Sequence, residues 1–262
     1  MSIERQFEQI GRMIAAEGSA EFPRRLADFL RTVAPFDFTV IFCYRGAVRP
    51  LDLFDDFPRK KRAVFVTDYL AGPYMLDPFY LAATKPVAPG LYRMRDLAPD
   101  RFYQGEYFRS YYVQTGLAEE VGFFIDAGRG AVVVVSLMRA EKAFSAKEFA
   151  AIQGAFPIVE AACARHWAGA ADRFKAQDGA DADPSDGQIE RSFQRFGEGQ
   201  LTPREREVVE YTLKGYSAEA IRQVLGISSG TVRIHRRNIY AKLGISSQGE
   251  LFARFIDTLV KS

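Results

Sequence analysis

Helix-start and helix-stop signals follow one another at short intervals near the C-terminus of this 262-residue chain. Thr202-Pro203-Arg204-Glu205 is a capping box with proline at the first helical position, where its missing N–H has no cost. A second capping box, Ser247-x-x-Glu250, starts a later helix. Glycines that can end a helix and serines that can cap the next one lie between the two boxes: Gly215, Ser217, Gly226, Ser228 and Gly244. The sequence therefore predicts a compact all-α module of four helices.

The third helix of this module has two different faces. An apolar stripe recurs at intervals of three and four residues, which indicates a face packed on the other helices: Val232, His235, Ile239 and Leu243. Gly230, Arg233, Ile234 and Arg237 fall on the opposite face. An α-helix fits the major groove of DNA, where arginine can bind guanine and an apolar group can contact a thymine methyl. An arginine pair alone is more typical of a solvated helix, but the helix-turn-helix pattern favours contact with the groove.

The motifs LTPRERE, GYS and GIS-x-x-TV-x-x-H-x-x-x-I-x-x-KLGI resemble the LuxR/FixJ-type DNA-binding domain of bacterial transcription regulators. The resemblance covers Leu201 to about Leu259. It implies that Arg233, Ile234 and Arg237 hold the family's groove-reading positions, with Thr231 near the backbone. We take the full set of DNA-contacting residues as Ser229, Gly230, Thr231, Arg233, Ile234, Arg236 and Arg237. The resemblance also implies that the fourth helix mediates dimerisation, through Leu251, Phe252, Phe255 and Leu259. Ala218-Glu219-Ala220 departs from the usual Asn-Lys-Glu, so the operator sequence does not carry over from the family.

Charge and composition agree with this interpretation. From Leu201 onward the chain has 10 Lys+Arg against 6 Asp+Glu, whereas the preceding part has 25 against 27. A basic excess in one small domain is expected of a nucleic-acid binder. Cys43 and Cys163 form no CxxC motif, and the sequence indicates no disulfide framework, metal site or cofactor. Because no signal peptide or membrane-spanning run is evident, we expect a bacterial cytoplasmic protein.

Composition also suggests the domain boundaries. After Trp167 the chain reads AGAADRFKAQDGADADPSDGQ, which is rich in Ala, Gly and Asp and typical of a solvated tether. We therefore expect a ligand-sensing domain at residues 1–168, a linker at 169–200 and the DNA-binding domain at 201–262.

The first domain is predicted to be α+β. Phe38 to Tyr44 is strand-like, Ala118 to Asp126 and Gly130 to Arg139 indicate a hairpin, and Ser145 to Trp167 indicates a long closing helix. Helices before and between these strands predict an antiparallel sheet flanked by helices. This order of elements resembles the GAF/PAS-like autoinducer-binding domain found ahead of the same DNA-binding module.

Aromatic residues in the middle of this domain suggest a ligand pocket. Eight of the twelve tyrosines lie between Tyr69 and Tyr112, and tyrosine suits a closed cavity that must orient a polar ligand. The resemblance implies that the aspartate of Asp77-Pro78 accepts a ligand N–H. The predicted ligand-binding residues are thus Tyr69, Tyr74, Asp77 and Tyr92. Tyr92 stands where the family has a lactone-binding tryptophan, which argues against an acyl-homoserine lactone. Alternatively, the tyrosines cover the sheet and Asp77 caps the following helix.

These observations predict a ligand-responsive transcription regulator that binds an inverted-repeat operator as a homodimer. Two alternatives keep the same DNA-binding output. The first domain is then either a ligand-free protein-interaction module or, less favourably, an enzyme. Neither a nucleophile–base constellation nor a phosphate-binding G-x-x-x-x-G-K-[ST] loop is evident in the sequence, so we expect a protein that is not an enzyme.

Overall fold

The fold is taken from a computed structural model that describes residues 3–85, 87–109, 116–177, 192–193 and 195–260. The chain divides into two compact units, each built from segments that are not contiguous in sequence. The sheet unit comprises Met1–Arg62, Ala82–Leu97 and Gly116–Asp186. The helical unit comprises Ala63–Leu81, Ala98–Thr115 and Gly187–Ser262.

A five-stranded antiparallel sheet forms the centre of the sheet unit, in the order β2-β1-β5-β4-β3. Its strands are β1 (Phe38–Arg45), β2 (Leu51–Asp55), β3 (Gly90–Arg93), β4 (Leu117–Asp126) and β5 (Ala131–Ala140). The three central strands are rich in valine, isoleucine and phenylalanine, which suit a pleated surface that is covered on both sides. The predicted β4–β5 hairpin is confirmed, and β3 is a strand that the sequence did not predict.

One face of the sheet carries the main core. Its side chains alternate with those of the other face, as strand geometry requires: Ile41, Cys43, Val121, Phe123, Ile125, Val133, Val135 and Leu137. The same cluster includes residues of the helices α1 (Ile3–Ala15), α2 (Phe22–Val33), α6 (Ala146–Gly154), α7 (Phe156–His166) and α8 (Ala170–Gln177). The short helices α3 (Arg59–Arg62), α4 (Pro78–Ala83) and α5 (Met94–Leu97) lie between the strands in sequence.

Two segments of the sheet unit differ from the sequence-based expectation. The closing helix predicted from Ser145 to Trp167 is two helices, α6 and α7, which meet at Ala155. Pro157 lies in the first turn of α7, where proline is tolerated, whereas inside one continuous helix it would remove a hydrogen bond. The predicted capping box of Ser145 and Glu148 is confirmed. Residues 170–177, which we expected to belong to the linker, form α8, and Phe174 of this helix is buried in the core.

The helical unit contains the predicted four-helix module. Its helices are α9 (Pro203–Leu213), α10 (Ala218–Leu225), α11 (Ser229–Leu243) and α12 (Gln248–Val260). The same unit contains a π-helical turn at Ala63–Asp68 and 3-10 turns at Pro73–Leu76 and Phe102–Gln104. An α+β region followed by an all-α helix-turn-helix module is the fold class that the sequence predicted.

Residues that precede β4 in sequence pack on the turn between α9 and α10. The Arg101 amide donates to the Gly215 carbonyl at 2.9 Å, and Asp100 Oδ1 accepts from the Ser217 amide at 2.9 Å. A Cβ atom on Gly215 would lie 2.8 Å from the Cα of Phe102, so the backbones meet more closely than a side chain allows. The domain boundaries that we predicted from the sequence divide the chain into contiguous segments. The two compact units are instead built from segments that alternate along the chain, and the predicted boundaries remain a prediction.

A buried ion pair joins β3 to β4. Arg93 and Glu119 pair with side-chain exposures of 7% and 6%. The other carboxylate oxygen of Glu119 accepts from the Phe144 amide at 2.6 Å, and Arg93 donates to the Phe144 carbonyl. The pair therefore fixes the chain just before α6 against the edge of the sheet.

Replacing one charge of this pair tests its contribution to stability. We expect Glu119→Gln to lower the free energy of unfolding by about 3 kcal/mol, because Arg93 would be left as a buried, unpaired cation. Glu141→Gln removes the same charge at an exposed position just after β5 and is the control. Urea unfolding followed by circular dichroism measures both variants, and equal losses would contradict the assignment.

Candidate functional site

The caps that the sequence predicts for α9 to α11 are present. Thr202 and Glu205 form the reciprocal capping box of α9. The hydroxyl of Ser217 accepts from Ala220 N at 3.0 Å, and that of Ser228 accepts from Thr231 N at 3.0 Å. Gly226 and Gly244 end α10 and α11 in the left-handed conformation, with φ of 65° and 64°. These caps fix the ends of the helices locally, in agreement with the sequence-based prediction.

The inner face of α11 anchors the helix in the module. Val232, Ile239 and Leu243 are buried, whereas His235 on the same predicted stripe is only half-buried. The buried side chains of α9 and α10 complete this small core: Val208, Val209, Leu213 and Ile221. The position of α11 is thus set by apolar packing that leaves its other face open.

The outer face of α11 is basic and partly apolar. Arg233 and Arg237 are exposed, and neither forms an ion pair with any residue that the structure describes. Ile234 lies between them with 52% of its surface exposed. Arginine can bind a guanine edge and isoleucine can contact a thymine methyl, so this face has the chemistry of base recognition.

The other predicted DNA-contacting residues have different surroundings. Gly230 is exposed and Ser229 half-buried at the start of α11, and Thr231 Oγ1 lies 2.8 Å from the Ser228 hydroxyl. Arg236 is turned toward α12, where Nη2 donates to Gln248 Oε1 at 3.2 Å. Burial lowers the pKa of Arg236 from its ordinary value. We therefore separate Arg236 from the exposed face of Arg233, Ile234 and Arg237.

An ion pair joins α9 to the C-terminal end of α11. Lys242 Nζ lies 2.6 Å from Glu205 Oε2, which also accepts from Thr202 N at 2.8 Å. Burial by itself raises the pKa of Glu205, but the hydrogen bonds from Lys242 and Thr202 bring this pKa below its ordinary value. The sequence predicted the capping role of Glu205 but not its contact with Lys242, because no local pattern joins residues so far apart in the chain.

The predicted dimerisation residues are packed inside the helical unit. Leu251, Phe252 and Phe255 are buried, and Leu259 is half-buried. The Phe255 ring stacks on Phe193 with ring centroids 4.6 Å apart and contacts Phe196 edge-on at 5.5 Å. A Cβ atom on Gly72 would lie 3.0 Å from the Leu259 side chain, so residues near Gly72 cover the end of α12. The apolar periodicity of α12 therefore matches contacts made within the chain.

Three of the four predicted ligand-binding residues lie together in the helical unit. Tyr69 donates its hydroxyl to Asp77 Oδ2 at 2.7 Å, and the Tyr69 and Tyr74 ring centroids are 6.2 Å apart. Asp77 Oδ1 accepts from the Phe79 amide at 2.8 Å, so Asp77 caps the start of α4. Burial raises the pKa of Asp77 to about 6, against the opposing effect of hydrogen bonds from Tyr69, Phe79 and Tyr80.

The fourth predicted ligand-binding residue, Tyr92, lies on β3 in the sheet unit. Its hydroxyl donates to the Ala88 carbonyl at 2.9 Å, and its ring meets Phe124 edge-on at 5.2 Å. Phe124 also lines a cavity of about 600 Å³ at the end of the sheet near the β4–β5 hairpin. This volume falls in the range of small-molecule sites.

Within the described residues there is no cluster of His, Cys, Asp and Glu side chains that would hold a metal ion. The same part of the chain has no helix of sufficient length and apolarity to cross a membrane.

A helix-turn-helix with an exposed basic recognition helix, joined to an α+β region, defines a class of bacterial DNA-binding regulators. Residues 199–254 match the family model described as "Bacterial regulatory proteins, luxR family". The chain is 34% identical over 188 residues to the "HTH-type transcriptional regulator in exeN 3′ region" of Aeromonas salmonicida, and the match covers 70% of this chain and 95% of that relative. The protein therefore belongs to the luxR family of bacterial regulatory proteins.

Two further similarities each cover part of the chain. The transcriptional regulatory protein UhpA of Escherichia coli is 44% identical over 57 residues, which cover 22% of this chain and 29% of UhpA. The crystal structure of the VqsR LBD domain from Pseudomonas aeruginosa aligns with a TM-score of 0.53 and 26% identity. That alignment covers 62% of this chain and 96% of the VqsR domain. The α+β region thus has the fold of the VqsR domain, as the resemblance to autoinducer-binding domains predicted.

The raised pKa of Asp77 predicts how stability depends on pH. The folded protein holds a proton on Asp77 more strongly than the unfolded chain does, where the pKa of aspartate is about 3.9. The resulting stabilisation is fully present below about pH 4 and is lost as the pH rises through about 6. We expect Asp77→Asn to remove on the order of 2 kcal/mol of this dependence.

Thermal unfolding between pH 4 and pH 7 measures the effect. Asp68→Asn, an exposed carboxylate in the same segment, should leave the pH profile unchanged. An Asp77→Asn profile that runs parallel to that of the wild type would contradict the predicted titration.

Proposed function

We propose that this luxR-family regulator recognises an operator through the outer face of α11 and is controlled by a small ligand. The exposed group of Arg233, Ile234 and Arg237 is the observation on which the DNA-binding part rests. The opposite face of α11 is held in the core, and Lys242 fixes the helix to Glu205. A rigid helix with an open basic face is able to enter the major groove without reorganisation.

A small ligand is supported by two independent observations. The α+β region has the fold of the VqsR LBD domain, where LBD stands for ligand-binding domain. In addition, the sheet unit contains a cavity of about 600 Å³ beside Phe124. Relatives of this chain are transcriptional regulators rather than enzymes. We therefore interpret the cavity as a sensing site and, because the proposed target is DNA, place the protein in the bacterial cytoplasm.

The ligand signal has a short route to the DNA-binding helices. Tyr69, Tyr74 and Asp77, our proposed ligand contacts together with Tyr92, belong to the same compact unit as α9 to α12. Gly72 lies between Tyr69 and Tyr74 and packs against Leu259 of α12. A ligand that replaces the Tyr69–Asp77 hydrogen bond would shift the chain that contacts α12. Such coupling needs only a difference in ligand affinity between two states.

We further propose that the DNA-bound form is a homodimer on an inverted repeat. Twofold pairing would present two recognition helices to successive major grooves. Pairing through Leu251, Phe252, Phe255 and Leu259 requires these residues to leave their contacts with Phe193, Phe196 and Gly72. The monomer–dimer balance is then the step on which a ligand acts.

Substitutions on α11 test base recognition. We expect Arg233→Ala and Arg237→Ala each to weaken binding to a duplex selected from a random-sequence pool by about 1–3 kcal/mol. Arg12→Ala removes an exposed arginine from the sheet unit and should have little effect. Fluorescence anisotropy at several salt concentrations measures the affinities. Equal losses on selected and random duplexes would make these arginines phosphate contacts, and unchanged affinities would overturn the proposed recognition face.

The stoichiometry on DNA tests the homodimer. We expect two chains per inverted-repeat duplex in analytical ultracentrifugation, and one chain for Leu259→Asp, because a carboxylate cannot be buried in an apolar helix pair. Ala253→Asp adds the same charge to the exposed side of α12 and should keep two chains per duplex. Saturation of the wild type at one chain per inverted repeat would refute the homodimer.

A further inference from the structure

The cavity at the end of the sheet is basic as well as apolar. Its lining includes Arg45 at the end of β1, Lys85 after α4 and Arg129 in the β4–β5 turn. Asp126 is the acidic residue of the lining. We call this space the basic cavity. All of its lining residues belong to the sheet unit.

The apolar part of the basic cavity is formed by the sheet. Phe124 and Val132 are on the sheet face opposite to the main core, and Phe124 is fully buried. Ala83, Val87 and Pro89 add apolar surface from the segment before β3. A ligand that fits this lining therefore needs an apolar body of its own.

The cations of the basic cavity have free bonding capacity. Arg45 Nη1 donates to the Ala171 carbonyl at 3.2 Å, which uses one of the five N–H groups of the guanidinium. The Lys85 ammonium is exposed, and its side chain has no hydrogen bond or ion pair with the residues described. Arg129 contributes less, because it already pairs with Asp172 at 2.6 Å and is 67% exposed.

The acidic residue does not neutralise these cations. Asp126 Oδ1 accepts from the Gly128 amide at 2.7 Å, which holds its carboxylate in the β4–β5 turn. Its single negative charge offsets only one of the three cations, so the lining keeps an excess of positive charge beside an apolar floor. A neutral or cationic ligand would leave Arg45 and Lys85 unmatched.

We propose that the basic cavity binds an amphipathic organic anion, with its carboxylate or phosphate on Arg45 and Lys85 and its apolar body on Val87 and Val132. The planar guanidinium suits both kinds of head group, since it can donate two parallel hydrogen bonds to either. None of the four proposed ligand contacts, Tyr69, Tyr74, Asp77 and Tyr92, lines the basic cavity. This inference rests on the proposed function in that it takes the cavity as a sensing site, and it names the chemical class of the molecule bound there.

Isothermal titration calorimetry of the full chain with octanoate, octyl phosphate and octanol tests the charge requirement. We expect octanoate or octyl phosphate to bind and octanol to bind at least fivefold more weakly. Arg45→Gln should weaken binding of the anion about tenfold, as loss of a charged hydrogen bond predicts. Lys85→Met should weaken it about two- to fivefold, since the ammonium is exposed.

Lys147→Met is the matched control, because it removes an exposed lysine from the same unit outside the cavity. The proposal is supported if at least one anion binds and if Arg45→Gln and Lys85→Met weaken this binding while Lys147→Met does not. The anion that binds more tightly identifies the preferred head group. Absence of binding by both anions, equal binding of octanol, or equal effects of all three variants overturns it. Because the titration contains no DNA, a negative result leaves the tests of operator binding and dimerisation unaffected.

Discussion

The carboxylate of Glu205 is the interaction on which the DNA-binding surface depends. It accepts a hydrogen bond from the first residue of its own capping box and pairs with Lys242 in the last turn of α11. Because Glu205 is almost fully buried, removing either partner would leave a charge with incomplete solvation. One side chain thus caps the start of α9 and joins it to the C-terminal end of α11. Burial of Val232, Ile239 and Leu243 and the ion pair of Lys242 hold α11 in the module. Its outer face can therefore remain free of packing contacts.

A second constraint is that each compact unit is built from segments that are separate in sequence. Residues 63–81 and 98–115 are followed in sequence by strands of the sheet, yet they belong to the unit that contains α9 to α12. Asp100 and Arg101 bond to the turn between α9 and α10, and Gly72 meets α12. A structural change at Tyr69, Tyr74 or Asp77 would therefore occur in the same segment as Gly72, which meets α12. The coupling that we propose therefore runs through contacts within one compact unit.

How well the sequence predicts this structure depends on the range of the forces involved. Caps, helix-ending glycines and strand alternation are local, and the sequence predicts α9 to α11 and the β4–β5 hairpin. Periodicity also predicts that one face of α12 is apolar, but it does not tell what covers that face. Here the cover is Phe193 and Phe196, with Gly72 at the far end. Likewise, the composition of residues 170–177 predicts a tether. The structure shows a helix instead, because the single phenylalanine of this segment, Phe174, packs in the core.

Arginine illustrates why residue type alone does not assign a site. Arg93 is buried and paired with Glu119, so its charge stabilises the fold and is inaccessible to a ligand. Arg236 is half-buried against Gln248, and burial lowers its pKa. Arg233 and Arg237 lie on the same helix as Arg236 but are exposed to solvent. Arg45, with most of its donors unused beside an apolar floor, is intermediate between these cases. The surroundings of each guanidinium, which sequence spacing does not encode, decide whether it holds the fold together or remains available to bind an anion.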